Sequence, residues 1–285
     1  MQRQWLEIGA ARRTFWLAPA PRPEAPLLVV LHGLGMTGQD MATFTGLARR
    51  GPDAGFAVVF PDGLDQRWND GLRRPREKDL DDTGFITALI GRLAADGVAR
   101  GGAVYLIGIS GGASFAEHLA RHALVESAGI VLAAGTATAL SRESSPAPAA
   151  PAAMLLFEGT ADPMVPYEGG EIGPPGLLGH FADRKRGEPR RVGVAVETVA
   201  ADWAAVNGAR AEPSVEQLTS APGDPPVTRL SWRETGRPPV VLYRIEGGGH
   251  GWPGGPQHLP ARLIGPVARQ LDATGILLEM AQDER

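Results

Sequence analysis

The chain has no cysteine among its 285 residues, so it can form neither a disulfide framework nor a thiolate metal site, and a reducing compartment is the natural reading. It has no apolar run near the ~20 residues that a membrane-spanning helix needs. It has no surplus of basic charge: 28 Lys and Arg stand against 32 Asp and Glu, which gives no footprint for nucleic acid. No internal repeat and no interdomain linker breaks it up. Glycine and proline are plentiful, 38 and 25 residues, and point to turn-rich loops between ordinary elements. Arg12-Arg13-Thr14-Phe15-Trp16-Leu17 has the outline of a twin-arginine export signal. The apolar region that should follow is broken by Pro19, Pro21, Arg22, Pro23, Glu24 and Pro26. A cytoplasmic location is therefore expected, with no membrane and no nucleic-acid partner.

The most informative stretch is Val104-Tyr105-Leu106-Ile107-Gly108-Ile109-Ser110-Gly111-Gly112-Ala113-Ser114-Phe115. Four apolar residues read as a buried strand, and Phe115, Leu119 and Leu124 follow at roughly helical spacing. Between them lies Gly108-x-Ser110-x-Gly112, the sequence form of a nucleophile elbow. So sharp a strand-to-helix turn leaves no room for flanking side chains, hence the glycines. It lifts the serine hydroxyl off the sheet edge and places the Gly111 N–H at a helix N-terminus, where it can face a developing oxyanion.

Taken in order, residues 3–8 and 13–17 read as an edge hairpin, and residues 27–31 as a core strand followed by a helix over 39–50. Gly33-x-Gly35-x-x-Gly38 between them satisfies the dinucleotide-binding pattern, with Asp62 after the next strand (56–60) as a ribose-binding acid. His32-Gly33-Leu34 at the same place equally suits the second half of an oxyanion hole, and at this point both readings stand. Residues 73–82 read as solvated surface and 82–96 as an amphipathic helix. His118 and His122 sit at i, i+4 without the glutamate of a zinc-protease motif, and read as surface histidines. Strands are expected near 130–133, 154–157, 228–232 and 240–245. Loops are expected over 141–153 and, as a long surface excursion, 168–193. Helices are expected over 194–206 and 261–281.

Three polar residues then stand just after three strands, in the order Ser110, Asp162, His250. Serine is a poor nucleophile until a base takes its proton. Histidine does so near neutral pH and returns the proton to the leaving group, while an aspartate holds the needed tautomer. The backbone N–H groups of Leu34 and Gly111 are the expected oxyanion donors. Asp202 is a poorer third acid because it falls inside an expected helix. Trp68 and Trp252 are expected as an aromatic substrate wall beside this group.

Leu31-His32-Gly33, Trp68-Asn69, Asp81-Asp82-Thr83-Gly84-Phe85, Gly108-Ile109-Ser110-Gly111-Gly112, Gly159-Thr160-Ala161-Asp162-Pro163-x-Val165-Pro166-Tyr167 and Gly248-Gly249-His250-Gly251-Trp252-Pro253-Gly254-Gly255 together resemble the polyhydroxybutyrate depolymerase and feruloyl/acetylxylan esterase family. The resemblance covers about residues 13–280. It implies an α/β-hydrolase fold: a mostly parallel central sheet with helices on both faces, no large cap domain, and residues 1–285 as one catalytic domain. It further implies serine carboxylic-ester hydrolysis with no cofactor and no metal, on a small-molecule or oligomeric ester. The chain departs from that family in having no cysteine, and neither a cleavable leader nor a substrate-binding module is expected, which turns the expectation away from solid polymer. Two other functions compete: an NAD(P)-binding oxidoreductase built on the Gly33–Gly38 loop, and a non-catalytic binding protein of the same fold.

Overall fold

The structure, a computed structural model, describes residues 1–9, 11–69, 81–99, 102–173, 191–218 and 224–283. Its strands are β1 Gln2–Ile8, β2 Ala11–Ala18, β3 Leu27–Leu31, β4 Ala57–Pro61, β5 Val104–Ile109, β6 Gly129–Ala133, β7 Ala153–Gly159, β8 Gly170–Glu171, β9 Val192–Gly193, β10 Ser214–Leu218, β11 Val227–Trp232 and β12 Val240–Ile245. The helices are α1 Gly38–Thr45, α2 Leu47–Asp53, α3 Asp82–Ala95, α4 Gly111–Arg121, α5 Ala139–Ser144, α6 Val196–Val206, α7 Ala261–Ile264 and α8 Ala273–Asp283.

The strand Leu27-Leu28-Val29-Val30-Leu31 is wholly buried, as a strand covered on both faces must be. Its residues alternate between two cores. Leu27, Val29 and Leu31 pack with Phe85 of α3, Phe115 of α4 and Trp203 of α6. Leu28 and Val30 pack with Phe44 of α1, Phe56 and Leu277 of α8. The sheet between these layers runs β1-β2-β4-β3-β5-β6-β7-β12-β11-β10. From β4 to β12 the strands are parallel, and each edge is finished by antiparallel strands. The chain steps outward from β3 to β4 and returns to the other side of β3 as β5. That reversal opens a crevice beyond the carboxyl ends of β3 and β5, where open α/β sheets bind their ligands. Only the short α5 lies between β6 and β7, so no cap domain is inserted there.

The expected helix over 39–50 is two helices, because Gly46 turns left-handed at φ 66° and ends α1 before α2 begins. Residues 141–153, expected as a loop, open with the end of α5, and the closing region 261–281 is two helices, α7 and α8. Strand β10 was not expected: Ser-Val-Glu-Gln-Leu is almost entirely exposed and carries no apolar alternation. Of the excursion over 168–193, β8 and β9 pair with each other, while 174–190 lies outside the described residues. So do residues 70–80, which hold most of the expected charged surface piece.

The twin arginines belong to β2. Arg13 is buried, 2% exposed, and its Nη2 donates to Asp82 Oδ1 at 2.6 Å, with the guanidinium 4.1 Å from the centre of the Phe85 ring. The other Asp82 oxygen accepts the Asn69 N–H at 2.5 Å. One buried ion pair thus ties β2, the start of α3 and the loop that carries Trp68. Removing one partner leaves a charge buried without compensation, so Asp82→Ala is expected to cost about 3–5 kcal/mol in urea unfolding. Replacing both, Arg13→Met with Asp82→Leu, is expected to recover much of that loss. A double variant no better than the single would show that the ion pair is not the source.

Candidate active site

Ser110 ends β5 and begins α4 with φ 55° and ψ −123°, a conformation that non-glycine residues adopt only under strain. The turn is held by Ser110 N–H to Ala133 O at 3.0 Å and Ser114 N–H to Ser110 O at 3.1 Å. The flanking glycines are required by space. A Cβ on Gly108 would stand 2.3 Å from the backbone of Gly112, and one on Gly112 would stand 2.3 Å from the carbonyl oxygen of Leu31.

That close approach sets α4 against the loop after β3. Within this loop Gly35 N–H donates to Gln66 O at 2.9 Å and Met36 N–H to Gly33 O at 3.2 Å. The N–H groups of Leu34 and Gly111 have no partner among the described residues. Leu34 N lies 3.9 Å from where a Gly111 Cβ would be, so two free donors stand together beside Ser110. The loop is fixed from below by His32, which is fully buried. Its Nδ1–H donates to Gly33 O at 2.8 Å and its Nε2 accepts Gly63 N–H at 2.9 Å. Burial holds its pKa below the ordinary histidine value, against the Gly33 hydrogen bond and the charge of Asp62, which favour the cation. A neutral ring with one donor and one acceptor fits both contacts.

Asp162 follows β7 and His250 follows β12, adjacent parallel strands. His250 Nδ1–H donates to Asp162 Oδ2 at 2.7 Å, with both residues buried. The other Asp162 oxygen accepts the N–H groups of Met164 and Val165 at 2.7 and 2.9 Å. This leaves His250 Nε2 as an acceptor, the tautomer a general base needs. The two loops are also joined directly: Ala161 N–H donates to Gly248 O at 3.0 Å and Gly247 N–H to Thr160 Oγ1 at 2.9 Å. Asp202 is engaged elsewhere, with Arg142 at 2.7 Å and Arg121 at 3.3 Å.

Two expectations are corrected. Trp252 is 1% exposed and its indole N–H donates to Thr274 Oγ1 at 3.0 Å. Trp68 is 4% exposed, stacked on Phe115, with its N–H given to His32 O at 2.9 Å. Both indoles are buried with their N–H groups satisfied, so neither presents an open aromatic face; Trp68 still lines a small cleft with Leu34, Arg67, Gly111 and Arg191. The dinucleotide reading also fails. Asp62 Oδ1 accepts Gly38 N–H at 2.7 Å and its Oδ2 accepts Thr14 Oγ1 at 2.7 Å. The protein's own carboxylate thus fills the α1 N-terminus where a pyrophosphate would bind, and the acid meant for ribose is spent. His118 and His122 are half-buried and share Ser141 Oγ, at 3.1 and 3.4 Å, joining α4 to α5.

One residue had no sequence signal. Glu158, inside the apolar run of β7, is fully buried, and its carboxylate oxygens lie 3.1 and 3.2 Å from Gly135 N. The neighbouring Thr136 O accepts Ser114 Oγ at 2.8 Å, so Glu158 steadies the loop that braces α4. Burial raises its pKa well above the usual carboxylate value; the Gly135 N–H opposes this and the charge of Asp162 adds to it.

The chain belongs to the alpha/beta hydrolase family, whose pattern matches residues 28–263. Among individual proteins, it is 29% identical over 267 residues to "Putative esterase NocK" of Nocardia uniformis subsp. tsuyamanensis, covering 89% of this chain and 73% of that one. Its fold is similar to that of an acetyl xylan esterase from Aspergillus awamori, with a TM-score of 0.59 at 12% identity, covering 88% of this chain and 94% of the other.

Two outcomes check this geometry. A folded carboxyl with a raised pKa keeps its proton while the unfolded one ionises, so its stabilisation is complete below about pH 4.3 and is lost as pH rises toward the folded pKa. The stability of the wild type relative to Glu158→Gln is therefore expected to fall as pH rises above about 4.3 in thermal melts. A constant difference would show an ordinary carboxylate. Trp252→Phe is expected to cost about 1 kcal/mol through the lost hydrogen bond, with KM for small esters unchanged. A raised KM at unchanged stability would restore the substrate-wall reading.

Proposed function

We propose that the protein is a serine carboxylic-ester hydrolase acting through an acyl-enzyme, with Ser110 as nucleophile, His250 as general base and acid, and Asp162 as its orienting partner. The observation that carries the proposal is the buried Asp162–His250 pair at 2.7 Å, which leaves Nε2 as the acceptor. His250 takes the Ser110 proton as the hydroxyl attacks the ester carbonyl. Leu34 and Gly111 N–H groups receive the oxyanion; losing such a donor typically costs ~3–4 kcal/mol of barrier. His250 then protonates the departing alcohol, and the same steps with water release the acid. Feruloyl, acetyl or short hydroxyalkanoate-type esters are the proposed substrates, in keeping with the motif resemblance to polyhydroxybutyrate depolymerases and feruloyl/acetylxylan esterases. The likeness to an esterase sequence supports the same reading.

A fluorophosphonate is expected to label Ser110 stoichiometrically. Ser110→Ala is expected to fold and to lose hydrolysis of p-nitrophenyl acetate by roughly 10³-fold or more, and Asp162→Asn to lower kcat by up to about 10⁴-fold through the wrong tautomer. Labelling at another residue, or a fully active Ser110→Ala, would overturn the assignment. Inertness of the wild type toward an ester panel, with no labelling, would leave the non-catalytic reading.

A further inference from the structure

The ten-stranded sheet ends at β1, and no described strand pairs with its outer side. Ile8 and Ala11 are partners with only two residues between them, which makes them a hydrogen-bonded pair. Alternation along the hairpin then turns the N–H and C=O of Arg3, Trp5 and Glu7 away from β2. The neighbouring strand agrees: Thr14 O, opposite Trp5, accepts Asp62 N–H at 2.9 Å from the β4 side. The register is unbroken from Gln2 to Ile8, with neither a proline nor a bulge, the devices that commonly blunt an exposed edge. β1 is therefore open to a further strand.

The side chains of the same three residues share one face. Leu6 and Ile8 point the other way and pack against the core that holds Phe85 of α3. Trp5 is 55% exposed, with the Arg12 guanidinium 4.0 Å from its ring centre. Arg3 lies 5.7 Å from the centre of the Trp16 ring. Neither Arg3 nor Glu7 makes an ion pair among the described residues. Their placement is symmetric about Trp5. When a second β1 is laid antiparallel with Trp5 opposite Trp5, Arg3 falls opposite Glu7 at both ends, and each outward N–H meets an outward C=O. A slip of two residues either way loses both ion pairs. At the far edge of the sheet, the same operation on β10 sets Glu216 against Glu216. Charge complementarity thus selects β1 and a single register, and the partner that fits is a second copy of this chain. We propose that β1 is a dimerisation edge, across which two copies join their sheets antiparallel about a two-fold axis at Trp5. The inference is independent of the esterase reading.

One strand edge is a small interface, so a dissociation constant on the order of 10 µM is expected. In sedimentation velocity the wild type is expected to pass from monomer to dimer as it is concentrated through that value at low salt, where exposed ion pairs are least screened. Arg3→Glu and Glu7→Arg each set like charges opposite at both ends, and each is expected to raise the dissociation constant about ten-fold or more. Mixed in equal amounts, the two variants again set Arg against Glu and are expected to form a heterodimer of near wild-type affinity, a recovery that loss of folding cannot imitate. Because the chain has no cysteine, Trp5→Cys supplies a single thiol at the axis. Hydrogen-bonded partners stand about 5.5 Å apart at Cα, within disulfide reach, so mild oxidation is expected to yield a covalent dimer. Val215→Cys, exposed on β10, should stay unlinked. The crosslinking comparison decides the matter if a charge variant does not fold. A wild type that stays monomeric up to about 1 mM overturns the proposal. So does a dimer that both single variants keep, since its interface lies elsewhere. A variant mixture that recovers no association, or a Val215→Cys that links as fast as Trp5→Cys, overturns it too.

Discussion

Helix α4 can begin where it does only because nothing projects from Gly112 toward the carbonyl of Leu31. That contact brings the end of β3 and the start of α4 together at a separation that no other residue permits. Strain at Ser110, two free N–H groups side by side and a hydroxyl clear of the sheet edge all follow from it. The strain at one non-glycine residue in this region is of order 1–3 kcal/mol. It is offset by the Ala133 and Ser114 backbone hydrogen bonds and by the burial of Tyr105 to Ile109 of β5 beneath it.

The crevice loops are then fixed less by apolar packing than by buried polar groups accepting backbone N–H. His32 accepts from Gly63, Asp62 from Gly38, Asp82 from Asn69, Glu158 from Gly135, and Asp162 from Met164 and Val165. Loops at the end of a parallel sheet carry many N–H groups that no ladder satisfies, and leaving one buried without a partner costs about 1–3 kcal/mol. Acidic side chains answer this need without adding mass to the crevice. One of them, Asp62, thereby closes the helix end that a dinucleotide would have used.

The parts of the fold legible in the sequence were those written in apolar runs: β3, β4, β5, β7 and β12 are mostly hydrophobic, as a strand covered on both faces requires. The positions of Ser110, Asp162 and His250 just beyond strand ends were legible because each follows such a run, and the glycines around Ser110 and His250 signal backbone in close approach. What was not legible depends on pairing. A tryptophan near a crevice loop reads the same whether it faces solvent or core, and only the partners Phe115 and Thr274 decide it for Trp68 and Trp252. Arg13 looked like part of a targeting signal because its partner Asp82 is distant in sequence. Glu158 vanished inside a hydrophobic run, and Gly46 looked like one more tolerated helix glycine until its left-handed backbone divided the helix.

Asp162 and His250 are tied together, loop to loop and side chain to side chain, whereas Ser110 follows a strand separated from Asp162's strand by β6. With neighbouring strands about 4.8 Å apart, the sheet itself is the ruler that sets how far Ser110 stands from that rigid couple. Slippage or warping at the β5–β6–β7 seam would change this spacing while leaving the imidazole–carboxylate bond untouched. Mechanical tolerance in this protein is therefore concentrated in one place: the flatness and registry of three central strands, all buried, far from either edge where thermal fraying begins.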